Sequence, residues 1–307
     1  MNLAVTGATG LLGNSLIEYY IRIGWEVFVL IKDEHASLKL SSRTNKIYGN
    51  VNSKSDVDFF VHKSRPDFFV HLAAQTQAYD SLKYPYNTFY TNSVGTLNVL
   101  ESLREYDATK AIVVASSDKA YGELRGEEYL ETSPLDGLYP YDASKAITDI
   151  ICRSYKSTYS MPVVTTRACN IYGIKDYNQQ RLIPAIISAS KTGKAFVMRN
   201  NGEDIREYIH VDDVVQAYDC ILKYISKGGK GDSFNISSGE RFRTREVLQL
   251  IQEHIEEQIP LEVLNNNSME IKKQFMNSEL LRNATGWKPV MSFSGSLSDI
   301  VKWYLDN

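Results

Sequence analysis

Three glycines at a fixed spacing directly follow the first apolar segment of this chain. Residues 2–6 form a short apolar run, and Gly7, Gly10 and Gly13 come immediately after it, where a helical pattern begins at 11–23. Glycines at this spacing let the backbone turn tightly, approach a pyrophosphate closely and pack the helix against the strand. The order of strand, glycine loop and helix therefore predicts an α/β sheet that binds a dinucleotide.

The second predicted strand ends on a charged pair. Residues 26–31 are apolar, and Lys32 and Asp33 follow them, with Asp33 twenty residues after Gly13. An acidic side chain at this position accepts hydrogen bonds from the adenosine ribose, which favours NAD. A lysine beside it can attract the 2′-phosphate of NADP. We expect NAD as the cofactor, and the sequence leaves NADP open.

Strand and helix patterns alternate along the first half of the chain. Short β-branched runs are typical of strands in a parallel sheet, and the segments between them repeat apolar residues at helical spacing. Predicted strands cover 2–6, 26–31, 46–51, 67–73, 111–117 and 162–168, and predicted helices cover 11–23, 54–64, 88–106 and 141–159. This order predicts a doubly wound parallel sheet. Later helices are predicted near 181–191, 212–226 and 244–257, with short strands between them.

A tyrosine and a lysine lie one helical turn apart at the start of the helix predicted for 141–159. Tyr141 and Lys145 point the same way on a helix, and Ser117 ends the strand predicted for 111–117. The reference pKa of tyrosine is about 10, and a nearby ammonium favours the phenolate. Tyr141 can then take a proton from a substrate hydroxyl while Ser117 holds the same oxygen. The pattern indicates a dehydrogenase-type site, although the same spacing also occurs on exposed helices.

The composition excludes several other classes of protein. The 34 basic and 37 acidic residues give a net charge of −3, so nothing draws the whole chain to nucleic acid or to an anionic membrane. The first strand begins at residue 2 and no apolar run approaches the ~20 residues of a membrane span, so we expect a cytoplasmic protein. Three cysteines and five histidines fit no zinc motif, and His71 is expected to be a buried structural side chain. We predict no metal.

These motifs belong to a longer series that resembles the extended short-chain dehydrogenase/reductase family. The series is Gly7-x-x-Gly10-x-x-Gly13, His71-Leu72-Ala73-Ala74-Gln75-Thr76, Thr91-Asn92-Ser93-Val94-Gly95-Thr96, Ser117-Asp118-Lys119, Pro140-Tyr141-x-x-Ser144-Lys145, Arg167-x-x-Asn170-x-Tyr172-Gly173, Arg181-Leu182-Ile183-Pro184 and Arg206-Glu207-Tyr208-Ile209-His210-Val211-Asp212-Asp213. The chain is most similar to the NAD-dependent nucleotide-sugar 4,6-dehydratases. Many members carry Thr-Asp-Glu at 117–119, and the Ser-Asp-Lys form most resembles the CDP-glucose 4,6-dehydratase branch. The resemblance implies a Rossmann-type α/β fold with a smaller, discontinuous C-terminal substrate-binding domain.

The resemblance also implies which residues bind the cofactor and the substrate. The cofactor residues are Gly7, Thr9, Gly10, Leu11, Leu12, Lys32, Asp33, Asn50, Val51, Leu72, Ala73, Ala74, Thr91, Tyr141 and Lys145. The substrate residues are Gln75, Asn92, Asn170, Arg181 and Arg206. Asn50 stands where the family has an acid that contacts the adenine amino group, and its amide oxygen can accept the same bond. Arg206 is implied as a diphosphate ligand, with an ion pair to a neighbouring carboxylate as the alternative.

Domain arrangement and oligomeric state are implied in the same way. Residues 1–168 with about 209–236 are expected to bind NAD, and about 169–208 with 237–307 to bind the nucleoside-diphosphate sugar. Helices near 88–106 and 141–159 pair across a two-fold axis in the family, which implies a homodimer. Their apolar residues exceed what one sheet face needs, and include Phe89, Val99, Leu103, Ile147, Ile151 and Tyr155. The nucleotide base would be recognised in segments near 177–200 and 262–290.

The implied reaction converts a nucleoside-diphosphate hexose to its 4-keto-6-deoxy sugar. Tyr141 would deprotonate the C4 hydroxyl during oxidation, Asp118 would protonate the departing C6 hydroxyl, and Lys119 would assist removal of the C5 proton. Lysine is a poor base at its reference pKa of about 10.4, so stabilisation of the C4 enolate by the ammonium stays open. A C4 epimerase or 4-dehydrogenase of the same family is the alternative, but it has no evident use for the Asp-Lys pair. A cofactor-binding regulator without catalysis could dispense with Tyr141 or Lys145, and both are present.

Overall fold

The computed structural model describes residues 1–37, 40–264 and 271–307 of the chain. Its strands, numbered in chain order, are β1 (Asn2–Thr6), β2 (Glu26–Ile31), β3 (Asn45–Tyr48), β4 (Phe68–His71), β5 (Ala111–Ala115), β6 (Val163–Ala168), β7 (Asn170–Tyr172), β8 (Phe196–Met198), β9 (Ile205–His210), β10 (Ser233–Ile236), β11 (Arg241–Arg243), β12 (Leu261–Val263) and β13 (Lys273–Gln274). Its helices are α1 (Leu11–Arg22), α2 (Glu34–Ser37), α3 (Lys54–Ser64), α4 (Ala78–Lys83), α5 (Pro85–Phe89), α6 (Gly95–Tyr106), α7 (Pro140–Tyr159), α8 (Leu182–Thr192), α9 (Val211–Ser226), α10 (Thr244–Gln252), α11 (Glu279–Thr285) and α12 (Phe293–Asp306). A π-helical turn at Tyr90–Val94 joins α5 to α6, and a 3-10 turn at Asp118–Tyr121 follows β5. Within these described ranges, no helix combines the length and hydrophobicity that a bilayer span requires.

Seven of the described strands form one parallel sheet in the order β10-β6-β5-β4-β1-β2-β3. From β1 the chain adds β2 and β3 on one side, then crosses over and adds β4, β5, β6 and β10 on the other. The strand order therefore reverses between β1 and β4, which lie side by side with Leu3 next to Phe68. Ligands of open α/β sheets bind at the carboxyl ends of the strands at such a reversal. The predicted doubly wound α/β sheet is confirmed, and the glycine loop lies at the reversal point.

Alternate residues of β1 pack on opposite faces of this sheet. Leu3 and Val5 are buried in a hydrophobic cluster that includes α1 and α9. Ala4 is buried in a second cluster, with Phe60 of α3 and Leu100 of α6. Because side chains of a strand alternate between faces, a strand covered on both sides is apolar throughout. This explains why β1 and β5 read as unbroken apolar runs.

The second half of the chain builds a separate hydrophobic cluster that joins α8, α10 and α12 through side chains such as Ile251 and Leu297. β9 pairs with β7, β11 and β13 in a second sheet, and β10 returns to the main sheet beside β6. Helix α11 departs from the predicted assignment of 237–307 to the substrate domain. It packs with the main-sheet cluster, and Trp287 after it donates from Nε1 to Asp213 O (3.0 Å). The domain division as a whole stays a prediction.

Helix α10 is shorter than the predicted 244–257. It ends at Gln252, whose side-chain amide donates to the carbonyl oxygens of Ile255 and Glu257 (both 3.0 Å) and accepts from Ile259 N (2.8 Å). These bonds satisfy backbone groups of the following turn, so the chain leaves the helix there. The spacing of apolar residues alone does not predict that the helix ends at Gln252.

Candidate active site

The glycine loop after β1 lies against the loop after β4. Gly7 has a φ of +73°, and a Cβ on it would lie 2.5 Å from the carbonyl carbon of Leu72 and 2.6 Å from the nitrogen of Ala73. A Cβ on Gly13 would lie 2.3 Å from Gly7 O. Both glycines are therefore required by the protein's own packing. At Gly10 the nearest atom would be Gly7 O at 3.6 Å, which leaves that face of the loop open to a ligand.

Helix α1 begins at this open face. Gly10 is its N-cap and offers no side chain to the first N–H groups of the helix. These groups have no carbonyl partner within a helix, and with the helix dipole they favour an anion. Thr9 and Leu12 are partly exposed beside them, and Leu11 is buried. The loop therefore fits the pyrophosphate of a dinucleotide, held by backbone N–H groups.

The predicted ribose and adenine contacts lie at the ends of neighbouring strands. Lys32 and Asp33 are exposed after β2, and Asp33 Oδ1 accepts a hydrogen bond from His35 N (2.9 Å). Asn50 follows β3, and its Oδ1 accepts from Asn52 N (3.0 Å). Carboxylate and amide oxygens each accept more than one hydrogen bond. Asp33 and Asn50 can therefore still accept bonds from a nucleoside.

Two further predicted cofactor residues connect the loop after β3 to the long helix at 85–106. Val51 is buried, and its carbonyl oxygen accepts from Asn98 Nδ2 (2.8 Å). Thr91 Oγ1 accepts from Asn52 Nδ2 (3.3 Å). Ala74, like the two residues before it, is partly exposed in the loop after β4. These contacts hold the wall of the predicted nucleotide groove in place.

The residues after β5 meet the start of α7. Ser117 Oγ donates to Asp118 Oδ1 (3.0 Å) and accepts from Lys119 N (3.2 Å). Tyr141, 8% exposed, hydrogen-bonds with Ser117. Lys145 lies one turn further along α7 and is also buried. The structure thus brings together the five residues predicted to be catalytic.

Burial governs the protonation of Tyr141 and Lys145. It raises the pKa of Tyr141, and the hydrogen bond with Ser117 acts in the opposite direction. It lowers the pKa of Lys145 to about 8, while the nearby carboxylate of Asp149 opposes this. Lys145 Nζ donates to Ala115 O (2.7 Å). Desolvation, rather than the lysine charge predicted from the spacing, is the largest influence on the tyrosine here.

A buried ion pair between Arg167 and Asp149 holds the helix that carries Tyr141 and Lys145 against the sheet. Arg167 Nη2 donates to Asp149 Oδ1 (2.8 Å), and both side chains are almost fully buried. Thr165 Oγ1 donates to the same carboxylate oxygen (2.5 Å), and Ser116 Oγ donates to the other. The carboxylate therefore fastens α7 to β5 and β6, one turn beyond Lys145. Buried charges persist when they are paired and hydrogen-bonded in this way.

A cavity of about 1030 Å³ opens beside the catalytic residues. Polar residues of its wall include Lys119, Asp142, Asn170, Arg181 and Arg206. Apolar residues of α8 and β8, with Leu264 and Ile271, line it as well. These lie in the segments near 177–200 and 262–290 where base recognition is predicted, of which 265–270 lies outside the described residues.

Two carboxyl groups near Lys119 have raised pKa values. Burial raises the pKa of Asp118, and Lys119, Ser117 and Arg206 oppose the shift. Burial raises the pKa of Asp142 to about 6, and Lys119 again opposes it while Asp118 adds to it. A general acid needs a proton that is still present near neutral pH. Sequence reasoning assigned no role to Asp142, and its only local signal is its place directly after the catalytic tyrosine.

The predicted substrate residues of the second half lie in the cavity wall. Asn170 Nδ2 donates to Glu207 O (3.0 Å), which ties β7 to β9. Arg181 pairs with Asp176 (3.0 Å). Arg206 is 8% exposed, and its Nη2 lies 3.7 Å from Asp204 Oδ2. The ion pair predicted as the alternative role of Arg206 is therefore present with Asp204. Its N–O distance is too long for a hydrogen bond.

Asn92, which is predicted to contact the substrate, is bonded within the interior. It is 1% exposed, its Oδ1 accepts from Gln75 N (2.7 Å), and its Nδ2 donates to Gln75 O (3.0 Å) and Ser144 Oγ (2.8 Å). An amide with all these bonds made in the interior joins the loop after β4 to α7. Its amide faces the interior of the protein. Among the described residues, Thr76 and Gln77 rather than Gln75 line the cavity.

Two buried residues of the site received no role from the sequence: Gln274 lies in no motif, and Glu207 lies in the Arg206 motif without an assigned function. Gln274 of β13 accepts a hydrogen bond from Lys119 Nζ at its Oε1 (3.3 Å). Glu207 of β9 is fully buried, and its carboxylate accepts from Ser237 Oγ (2.6 Å) and Met276 N (2.9 Å). Burial raises the pKa of Glu207 to about 7. Only the pairing of distant strands reveals either residue.

His71 is a buried structural residue, as predicted. It is 3% exposed, and its ring nitrogens hydrogen-bond to Thr6 Oγ1 (2.7 Å) and Thr96 Oγ1 (3.2 Å). Burial lowers its pKa to about 3, so the ring is neutral at physiological pH. The histidine therefore joins β1, β4 and α6 beneath the glycine loop.

A glycine loop at the reversal of a doubly wound sheet, a Tyr-x-x-x-Lys pair at the strand edge and a cavity beside that pair, lined by Lys119 and Asp142, define a dinucleotide-dependent enzyme of the dehydrogenase type. The model of the NAD dependent epimerase/dehydratase family matches residues 3–237. The chain belongs to that family. The resemblance to extended short-chain dehydrogenases/reductases is thereby confirmed.

Known relatives cover the whole chain. A dTDP-glucose 4,6-dehydratase from Haemophilus influenzae is 30% identical over 338 residues, covering 100% of this chain and 98% of the relative. The solved dTDP-glucose 4,6-dehydratase of Bacillus anthracis, in complex with NAD, has a TM-score of 0.88 at 25% identity and covers 100% of this chain and 97% of that chain. The UDP-glucose 4-epimerase of Thermus thermophilus, in complex with NAD, has the same TM-score and identity over 99% of each chain. NAD is the cofactor, as predicted.

Proposed function

We propose that this enzyme is a 4,6-dehydratase that converts a nucleoside-diphosphate hexose to the 4-keto-6-deoxy sugar. The observation that carries the proposal is the Asp118–Lys119 pair beside Tyr141 and the cavity. Oxidation or epimerisation at C4 needs a base and a hydride acceptor. Loss of water also needs a proton donor for the leaving hydroxyl. The relative from Haemophilus influenzae, a 4,6-dehydratase by name, supports the same reaction.

The first half of the reaction is an oxidation at C4. Bound NAD supplies the two-electron acceptor that takes hydride from C4 and later returns it to C6. Tyr141 takes the proton of the C4 hydroxyl, and Ser117 holds the same oxygen through a hydrogen bond. Lys145, one turn away and with its pKa lowered by burial, favours the phenolate whenever it carries its proton.

The second half is an elimination across C5 and C6. The ketone at C4 makes the C5 proton acidic, so the C5–H bond breaks as the C6–O bond breaks. Asp118 gives its proton to the departing oxygen, and water leaves. Burial raises the pKa of Asp118, which favours its protonated form. Lys119 either removes the C5 proton itself, or its ammonium stabilises the C4 enolate while that proton leaves to solvent in the cavity. In both cases C5 receives a proton again when hydride reaches C6, and both roles of Lys119 stay open.

Arg206 is the proposed ligand of the diphosphate. Its Nη1 donates to Ile205 O (3.0 Å) and Lys272 O (3.3 Å), so the guanidinium is held in the cavity wall. A guanidinium suits phosphate because it bonds two oxygens at once. We assign NAD binding to residues 1–168 with about 209–236, and nucleotide-sugar binding to about 169–208 with 237–307.

The nucleotide base is proposed to be cytosine, because Ser117-Asp118-Lys119 resembles the CDP-glucose branch. The relative from Haemophilus influenzae bears dTDP in its name. Thermal unfolding of the NAD-loaded protein with CDP, GDP, UDP or dTDP tests this. A ligand at 100 times its Kd adds about 2.7 kcal/mol to the free energy of unfolding. The largest shift with CDP supports cytosine. The largest shift with another nucleotide corrects the base and leaves the reaction untouched.

Product mass from a panel of nucleotide hexoses tests the reaction itself. We expect loss of one water from at least one substrate. An unchanged mass with a new sugar configuration would indicate epimerisation, loss of two hydrogens would indicate net oxidation, and no turnover with bound NAD would indicate a regulator. The Tyr141→Phe variant, assayed in parallel, distinguishes turnover at this site from that of a contaminant.

We also propose a homodimer formed through the helices at 85–106 and 140–159. Exposed apolar residues on them include Tyr86 (74%) and Ile150 (50%). Val99 and Leu103, predicted for this face, are buried in the sheet core and are not part of it. Light scattering at micromolar concentration should give twice the monomer mass. Ile150→Asp should lower that mass, and a monomeric wild type would contradict the proposal.

A further inference from the structure

Lys119, the residue whose role stays open, has a neutral partner from a distant strand. Its Nζ donates to Oε1 of Gln274 at 3.3 Å. Gln274 lies on β13, directly opposite Arg206 on β9. It is 1% exposed, so water does not compete for its amide. The contact joins the end of β5 to the second sheet across 155 positions of sequence.

The nitrogen of the Gln274 amide, unlike its oxygen, is not engaged in a hydrogen bond with any described residue. Gln274 Nε2 is buried and has no hydrogen-bond partner among the described residues. An unpaired buried donor costs about 1–3 kcal/mol, so its persistence calls for an explanation. A glutamine amide presents an acceptor and a donor of nearly the same shape, and a rotation of the terminal group exchanges them. Because Nε2 has no partner to lose, this rotation breaks no other hydrogen bond.

We propose that Gln274 is a positioning residue that holds Lys119 in both of its protonation states. Its oxygen accepts from the ammonium, and after rotation its nitrogen donates to the lone pair of the amine. A carboxylate in the same place could accept only, and would keep the lysine charged. The amide therefore lets Lys119 accept a proton and release it again without leaving its place. The part played at C5 rests on the proposed function, whereas the contact does not.

The charges around Lys119 make a neutral partner necessary. Asp118 lies beside it in the chain, Asp142 faces it from α7, and Arg206 lies close enough to Asp118 to lower the pKa of that carboxyl. A third carboxylate would add to the attraction of Asp118 and Asp142 for the ammonium. Gln274 holds the nitrogen without adding charge.

Competitive acylation of Lys119, followed by peptide mass spectrometry at pH values from about 7 to about 12, tests the contact without requiring turnover. Only the neutral amine reacts, so the pH of half-maximal labelling reports its protonation. Gln274→Glu should move that pH upward by about one unit or more, since an opposite charge within hydrogen-bonding reach favours the charged form. Gln274→Met should move it downward, because a hydrogen bond to an ammonium is stronger than one to an amine. Gln249→Glu on the exposed face of α10 adds the same charge outside the site and should leave it unchanged.

The three variants distinguish failure of the Gln274–Lys119 contact from failure of the proposed dehydratase function. If Gln274→Glu and Gln274→Met both label like wild type, Gln274 does not hold Lys119 and the proposal is overturned. If the pH of half-maximal labelling is highest for Gln274→Glu, intermediate for wild type and lowest for Gln274→Met, the contact is supported. This holds even when no nucleotide sugar is dehydrated. Where the wild type does dehydrate a substrate, Gln274→Met should slow exchange of the C5 proton with solvent by about tenfold or more and leave KM nearly unchanged. Equal exchange rates would overturn the positioning role. Thermal unfolding and NAD binding confirm that each variant is folded.

Discussion

The two sides of the proposed active site are built in different ways. On the oxidation side, Tyr141 and Lys145 come from a single helix, α7, and lie on one of its faces. The Asp149–Arg167 ion pair fastens that helix to β5 and β6 from within the core. Ser117, Tyr141, Lys145 and this ion pair all come from one stretch of the chain, which runs from the end of β5 through α7 to β6. Its geometry is therefore fixed by the sheet itself.

On the elimination side, the partners come from distant parts of the sequence. Asp118 and Lys119 follow β5, but Arg206 and Gln274 reach them from β9 and β13 of the second sheet. This side is complete only when the second sheet lies over the strand edge. In the proposed reaction, oxidation at C4 is therefore the task of the first side, and dehydration depends on what the second half of the chain adds.

Removing the base should abolish both halves of the reaction. Tyr141→Phe deletes the hydroxyl that bonds Ser117 and retains the ring. We expect turnover to fall by about 10⁴-fold, the upper end of what a general base contributes, with no absorbance from reduced cofactor in a single turnover. Tyr224→Phe, which removes a hydroxyl bonded to the Lys230 backbone, is the matched control and should be fully active. Reduced cofactor in the Tyr141→Phe variant would show that another group is the base.

Asp118→Asn should separate the two sides. The oxidation residues are untouched, so reduced cofactor should form and then persist, while dehydration falls by roughly 10²–10³-fold. Stopped-flow absorbance and product analysis measure the two events independently. Lys119→Met should also spare oxidation and should slow entry of solvent deuterium at C5. Near-normal dehydration by Asp118→Asn, or failure of both variants at oxidation, would contradict the division of labour.

Two glycines should respond differently to the same added methyl group. Gly10→Ala meets no close atom of the protein, so we expect it to cost about 1 kcal/mol or less in stability and to weaken NAD binding by about tenfold or more. Gly7→Ala meets Leu72 and Ala73 in a left-handed conformation and should cost roughly 1–3 kcal/mol or more even without NAD. Thermal unfolding and NAD titration measure both quantities. Equal losses of stability would show that Gly10 is also structural.

The last expected effect concerns the pH dependence of stability rather than activity, and arises from the buried Glu207 of β9. Its pKa is raised by burial from 4.5 to about 7, so between these values the folded protein keeps a proton that the unfolded chain has released. The contribution of this group to the free energy of unfolding therefore falls as pH rises through this window and is constant above it, a change of about 3 kcal/mol. Glu207→Gln should remove that slope, because an amide does not titrate. Denaturant titrations of both proteins between about pH 4.5 and 8 measure the difference, and parallel curves would contradict the assignment.

The oxidation side was predictable from the sequence because its signals are local. Glycine spacing, β-branched runs and the Tyr-x-x-x-Lys turn each report a structure formed within about twenty residues. The elimination side was predictable only as far as Asp118 and Lys119. The contacts of Gln274 and Glu207 come from strand pairing across long separations. Gln274 lies in no motif, and the motif that contains Glu207 indicates no role for its carboxylate. Asn92 was assigned to the substrate because its motif is correct, but only packing shows that its amide faces inward.

The fate of the hydrogen at C4 tests the central claim most directly. A nucleotide hexose carrying deuterium at C4 should yield a product that has lost one water and carries the deuterium at C6, because the hydride removed in the oxidation returns to the carbon that lost its hydroxyl. The position of the label is read by mass spectrometry and NMR on the purified product. Deuterium that remains on C4 of a sugar of unchanged mass would contradict the account and show that the enzyme is an epimerase.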